Sequence, residues 1–133
     1  MNRILLAYDG TEPAHKALAM AADLAKKYGA GVTVVSVVPV HAGRAPIDPW
    51  DDTAVHKTQL GEAATALREL GIEAELLEPA GDPATTIEKI AAKGDYDTIV
   101  VGARGLGAIE RFLQGSVSEH IATHAETTVV IAR

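Results

Sequence analysis

The sequence predicts an α/β fold, a single doubly wound five-stranded parallel sheet with helices on both faces, and three observations carry that reading. Strand-like and helix-like patterns alternate from one end of the chain to the other. The most strand-like segments are near-continuous apolar runs, as strands covered on both faces require, rather than the in-and-out alternation of a half-exposed sheet. Glycine and proline punctuate the changes of pattern. Five strands and four helices in strict alternation imply right-handed crossovers between parallel strands, which leaves few topologies.

The elements follow in order. Ile4 to Ala7 is a short apolar run ending at Tyr8-Asp9-Gly10. Thr11 is placed to cap a helix, with Glu12 and Pro13 in the first turn, where both are favoured. Ala14, Ala17, Leu18, Ala21, Leu24, Ala25 and Tyr28 recur at helical spacing and define one apolar face, and Gly29 and Gly31 end the helix. Val32 to Val38, with five valines, is the most β-rich segment and reads as a buried strand. His41 to Asp52 holds two prolines and three aspartates and reads as a loop. Thr53 to Leu70 is a second helix closed by Gly71 and weakened internally by Gly61. Ile72 to Leu77 is a strand. Gly81-Asp82-Pro83 supplies a turn, a cap and a helix-starting proline for Ala84 to Lys93. Thr98 to Val101 and Val129 to Ala132 are the last strands, with a helix from about Ser116 to His124 between them.

Composition sets limits on function. The 133 residues carry 12 Lys and Arg against 18 Asp and Glu, a net charge of −6, which argues against nucleic acid as a partner. A bound nucleotide stays compatible with that charge, because backbone N–H groups can hold a phosphate locally. Cysteine is absent, which excludes a disulfide scaffold, a thiol nucleophile and Cys-ligated zinc. Ile4 to Ala7 is too short for a signal-peptide core, and no stretch approaches the ~20 apolar residues of a membrane span. The expectation is one cytoplasmic domain over residues 1–133, without a membrane partner.

Open parallel sheets bind ligands beyond the carboxyl ends of their strands, where the strand order reverses. The residues at those ends are Asp9-Gly10, Val37 to Pro39, Pro79 to Asp82 and Gly102 to Gly107. The last group is the most informative. Gly102, Gly105 and Gly107 crowd together with Arg104 after Val101, and Gly115-Ser116 precedes a helical pattern. Glycines let a backbone approach a bulky anion, and a helix start offers free N–H groups to phosphate. Each element alone has an ordinary reading as well, a turn or a cap. His120 and His124 have a metal-ligand spacing but no third partner, so surface or packing residues are the better reading and no metal site is assigned. Asp48, Asp51 and Asp52 do not fit a calcium loop. Trp50 either anchors its loop or lies near a nucleotide. No Walker A motif, no dinucleotide-binding G-x-G-x-x-G and no G-x-S-x-G elbow is present, and no catalytic residue is assigned.

Gly102-Ala103-Arg104-Gly105, nine residues, then Gly115-Ser116, is similar to the G-x2-G-x9-G-[S/T] signature of ATP-binding universal stress proteins. Ala7-Tyr8-Asp9-Gly10-Thr11-Glu12 resembles that family's first strand end. Gly81-Asp82-Pro83 resembles its turn before the third helix, and Gly115-Ser116-Val117-Ser118 its G-S-V-[ST] segment. The resemblance runs over essentially the whole chain, least around residues 41–52.

The resemblance implies strand order 3-2-1-4-5, a homodimer, and ATP with Mg2+ in the crevice beside strands one and four. By position, Asp9 would lie against the adenosine and Val37 against the adenine. Gly102 and Gly105 would wrap the ribose and phosphates, with Arg104 offsetting phosphate charge. Gly115, Ser116 and Val117 would hold the phosphate chain, joined by Ser118. The chain departs from the family pattern at Ala103, where Ser is common, and at Thr127-Thr128, where Pro is common. The function implied is a nucleotide-dependent regulatory module in stress adaptation, read by a protein partner or a second copy. A slow ATP hydrolase or adenylyl-transfer enzyme, and a nucleotide-free dimeric interaction module, are the alternatives.

Overall fold

The structure is a computed structural model and describes residues 2–38, 53–81, 83–94, 96–102 and 127–132. Its elements are β1 (Arg3–Ala7), α1 (Glu12–Tyr28), β2 (Gly31–Val35), α2 (Thr53–Glu69), β3 (Ala74–Leu77), α3 (Pro83–Lys93), β4 (Thr98–Gly102) and β5 (Thr128–Ala132). The expected helix over Ser116–His124 and the loop 41–52 lie outside the described residues.

All strand pairs are parallel and the order is β3-β2-β1-β4-β5, as the resemblance implied. Because β1 is central, β2 lies on one side of it and β4 on the other. Side chains alternate between the two faces, so each apolar strand feeds two cores. Ile4, Leu6, Val32, Val34 and Val100 meet α1 and α2 on one face. Leu5, Ala7, Val35, Ile99 and Val101 meet Ile87 and Ala91 of α3 on the other. This two-sided covering is why the central strands β1, β2 and β4 carry no polar alternation.

The α1 start follows from its sequence. Thr11 is extended, and its hydroxyl accepts from the Ala14 N–H at 3.3 Å while Pro13 occupies the first turn. At the other end Gly29 turns left-handed at φ 67° and returns its N–H to the Ala25 carbonyl. The apolar face is buried as expected through Ala14, Ala17, Leu18, Ala21 and Ala25, with Leu24 partly covered. Tyr28 departs from expectation and is 52% exposed. It stands in the last turn, with the Lys27 ammonium 5.7 Å from its ring.

Two strand boundaries are shorter than the sequence suggests. The second strand ends at Val35 rather than Val38, although Val38 still bridges Ala80. The third begins at Ala74 because the Ile72 N–H is taken by the Leu67 carbonyl at the end of α2. At the amino ends of the strands, Asp97 ties the sheet together. Its carboxylate accepts from the Asn2 N–H at 2.6 Å and the Thr98 hydroxyl at 3.0 Å, and its own N–H donates to the Arg3 carbonyl at 3.1 Å. Burial alone raises the Asp97 pKa. Hydrogen bonds to the charged form outweigh it, and the carboxyl lies below its ordinary range. Next to it the Arg3 guanidinium lies 4.4 Å over the Tyr96 ring, and the Tyr96 hydroxyl donates to Thr33 Oγ1 at 2.8 Å. Among the described residues no helix is long and apolar enough to cross a membrane.

Candidate functional site

The carboxyl ends of β1, β2 and β4 meet at the point where the chain leaves β1 in opposite directions. Three residues singled out from the sequence sit there. Asp9 follows β1, Val37 follows β2, and Gly102 ends β4. The fold brings these three to adjacent strand ends. Arg104, Gly105, Gly115, Ser116, Val117 and Ser118 lie outside the described residues.

Asp9 is held by its own turn. Its Oδ1 accepts both the Thr11 N–H at 3.0 Å and the Thr11 hydroxyl at 2.6 Å. Gly10 between them has φ 79°, a conformation that a side chain strains, and this lets the chain reverse into α1. Both hydrogen bonds fall on one carboxylate oxygen. Among the described residues Oδ2 has no hydrogen-bond partner, and Asp9 is half-buried.

Gly102 is a glycine for a reason the sequence did not suggest. A methyl group built there would lie 2.5 Å from the carbonyl carbon and oxygen of Pro13 and 2.8 Å from its Cβ. The end of β4 thus packs directly onto the first turn of α1. This brings the Asp9–Thr11 turn beside the start of the glycine-rich segment. Val37 is half-buried and packs against the α3-side core.

Around these lies a set of polar residues that the motifs missed. Tyr8 is buried, its N–H donates to the Val35 carbonyl, and its hydroxyl lies 3.3 Å from His15 Nδ1. The two rings meet edge to face at 5.6 Å. Burial, then the Glu62 and Asp9 carboxylates, push the Tyr8 phenol above its ordinary range. Ser36 is buried beside His56 of α2, with Oγ 2.6 Å from Nδ1. No motif in the sequence signalled that His56 of α2 would meet Ser36 at this end. Among the described residues no group of three His, Asp or Glu side chains is placed to hold a metal ion.

Comparison with known proteins agrees with this fold. The model of the universal stress protein family matches residues 1–133. A universal-stress-protein relative from Staphylococcus saprophyticus is 34% identical over 140 residues, covering 98% of this chain and 82% of its own. Among solved structures, a universal stress protein from Archaeoglobus fulgidus superposes with TM-score 0.75 at 25% identity, covering 100% of this chain and 94% of that one. The universal stress protein from Archaeoglobus fulgidus in complex with dAMP gives TM-score 0.73 at 26% identity, covering 100% and 98%.

Proposed function

The chain belongs to the universal stress protein family, and on that premise we propose that it binds an adenine nucleotide across the carboxyl ends of β1, β2 and β4 and acts as a nucleotide-dependent regulatory module in stress adaptation. The observation that carries the reading is the meeting of Asp9, Val37 and Gly102 at the switch point of the sheet, the position where open α/β sheets take their ligands. The dAMP bound by the Archaeoglobus fulgidus relative supports the ligand class.

The residues fit such a ligand. Asp9 keeps one carboxylate oxygen for a ribose hydroxyl or a base amine, and Val37 offers an apolar wall for a ring. Gly102, Arg104 and Gly105 would carry the sugar and phosphates, with Gly115, Ser116, Val117 and Ser118 closing on the phosphate chain. The ligand form proposed is ATP with Mg2+, the cation travelling with the triphosphate. Binding would shift the population of a surface that a protein partner reads, by as much as the ligand prefers one state over the other. A cytoplasmic homodimer through the edge strand β5 completes the proposal.

The test is calorimetric titration of nucleotide-stripped protein with MgATP, beside a Gly105→Val/Gly115→Val double variant. Saturable binding that the double variant loses supports the reading. A folded native protein that takes up no ATP refutes it, and the glycines then revert to turn residues. Light scattering with and without nucleotide tests the dimer.

A further inference from the structure

On the α3 face of the sheet, Ile87 and Ala91 of α3 cluster with Leu5, Ala7, Ile99 and Val101 of the central strands. Toward the edge strand β3 the helix leaves a groove of about 450 Å³, within the roughly 300–1,000 Å³ typical of small-molecule sites. Leu77 and Ala80 line it from the β3 side, Ile90 from α3, and Tyr96 from the turn before β4. The one polar atom of the Tyr96 side chain is spent inside the core, where it donates to Thr33 Oγ1 at 2.8 Å. What Tyr96 gives the groove is therefore its ring. Gly94 makes room for that ring, since a Cβ built there would collide with it. The floor is apolar. None of these residues belongs to the nucleotide crevice proposed above.

The charge sits on the helix rim. Thr86, Lys89, Ile90 and Lys93 line the groove at i, i+3, i+4 and i+7, which is a single stripe of α3. Lys89 and Lys93 are one turn apart, about 6 Å along the axis. Both are exposed, and among the described residues neither forms an ion pair. Arg3 adds a cation at the Gly94 end, its guanidinium 4.4 Å over the Tyr96 ring and donating to the Gly94 carbonyl. Glu75, two residues before Leu77, shares this face of β3 and is exposed, and it pairs with neither lysine. In a chain of net charge −6, two unpaired ammonium groups along an apolar floor reverse the sign locally. That surface complements an apolar chain with an anionic head. A bare anion would leave the floor unused, and a cationic amphiphile would be repelled by the rim.

We infer that the groove between α3 and β3 binds a medium-chain fatty acid, its alkyl chain along Leu77, Ile90 and Tyr96 and its carboxylate between Lys89 and Lys93. The test titrates the full chain with decanoate below its micelle concentration, by calorimetry and by amide NMR. Saturable binding is expected, with shifts at the Ile90, Gly94 and Tyr96 amides of the unmutated protein. Lys89→Gln/Lys93→Gln should weaken it by about five- to tenfold, the worth of a charge-assisted contact at an exposed site. Lys26→Gln/Lys27→Gln removes the same charge from the last turn of α1 and should leave the affinity unchanged. From hexanoate to decanoate the affinity should rise by about two- to fourfold per methylene, the upper figure being that of full burial. Acetate and decyltrimethylammonium should leave the three amide signals in place. Absence of saturable decanoate binding overturns the inference, as does a Lys89/Lys93 variant that binds as the native chain does. Equal losses in the two double variants, or the same three shifts with decyltrimethylammonium, also overturn it. The nucleotide reading stands or falls separately, on the MgATP titration.

Discussion

Gly102→Ala tests the packing that brings the two sides of the candidate crevice together. The added methyl would lie 2.5 Å from two backbone atoms of Pro13, roughly 0.9 Å short of the 3.4 Å at which ordinary contact begins. The obstacle is the main chain of the first α1 turn and the Pro13 ring, neither of which can rotate away. Over-packing of this kind costs about 1–3 kcal/mol, and a backbone obstacle puts the expected loss in the upper half, about 2–3 kcal/mol. For a chain of this length about 4 °C of melting temperature accompanies each kcal/mol, so the midpoint should fall by about 8–12 °C. Urea unfolding followed by circular dichroism measures it, with an unchanged m value showing that the native state alone is strained. Gly31→Ala is the control. No atom lies within 4 Å of its built Cβ and its φ is not positive, so it should change stability by no more than about 1 kcal/mol. A Gly102→Ala protein as stable as the native one would refute the close β4–α1 approach. Lost nucleotide affinity at full stability would move the role of Gly102 from packing to ligand approach.

Gly61→Ala should stabilise the protein by about 0.5–1 kcal/mol, read from the urea midpoint, because Gly61 sits inside α2 with open space at its Cβ position. Asp9→Ala, which removes both Thr11 hydrogen bonds, should cost about 1–2 kcal/mol in the same assay, whereas Asp9→Asn retains an Oδ1 acceptor and most of that stability. In a 295 nm titration one tyrosine should ionise above the ordinary value of about 10, and Tyr8→Phe should abolish that component. The raised phenol contributes stability that is present below about pH 10 and lost as pH rises through its folded value. Asp97 behaves oppositely: its lowered pKa gives stability present above about pH 3.9 and lost as pH falls through the folded value. Asp97→Asn should therefore flatten the acid limb of a stability–pH curve.

The architecture was legible because it is written in local patterns. Valine-rich strands, the Thr11 cap, Pro13 and the closing glycines at 29 and 71 all act within a few residues, and the structure places elements where they predict. Strand ends were less legible. Val37 and Val38 read as strand by composition; the regular strand ends at Val35, and beyond it the chain keeps only single bonds to the neighbouring segment, the Ser36 N–H to the Leu77 carbonyl and the Val38 N–H to the Pro79 carbonyl. Tyr28 continued the apolar spacing of α1 on paper, but spacing cannot say where the sheet beneath a helix runs out. At the site, Asp9, Val37 and Gly102 were found from their places after strands. The Ser36–His56 pair was not, because it depends on how α2 lies over β2, and no short motif encodes that.

Asp9 shows why a structural and a ligand-binding reading of one residue need not compete. Its Oδ1 closes the turn that starts α1, and so it is satisfied by Thr11 whether or not anything binds. The same bonds fix the carboxylate's orientation, which a free side chain would have to give up rotamer freedom to adopt. Oδ2 is thereby held in place at the sheet's switch point before any ligand arrives. Gly102 works the same way on the facing strand, since its close approach to Pro13 sets the distance between that turn and the end of β4. The fold therefore fixes both walls of the crevice with interactions that stabilise the chain on its own.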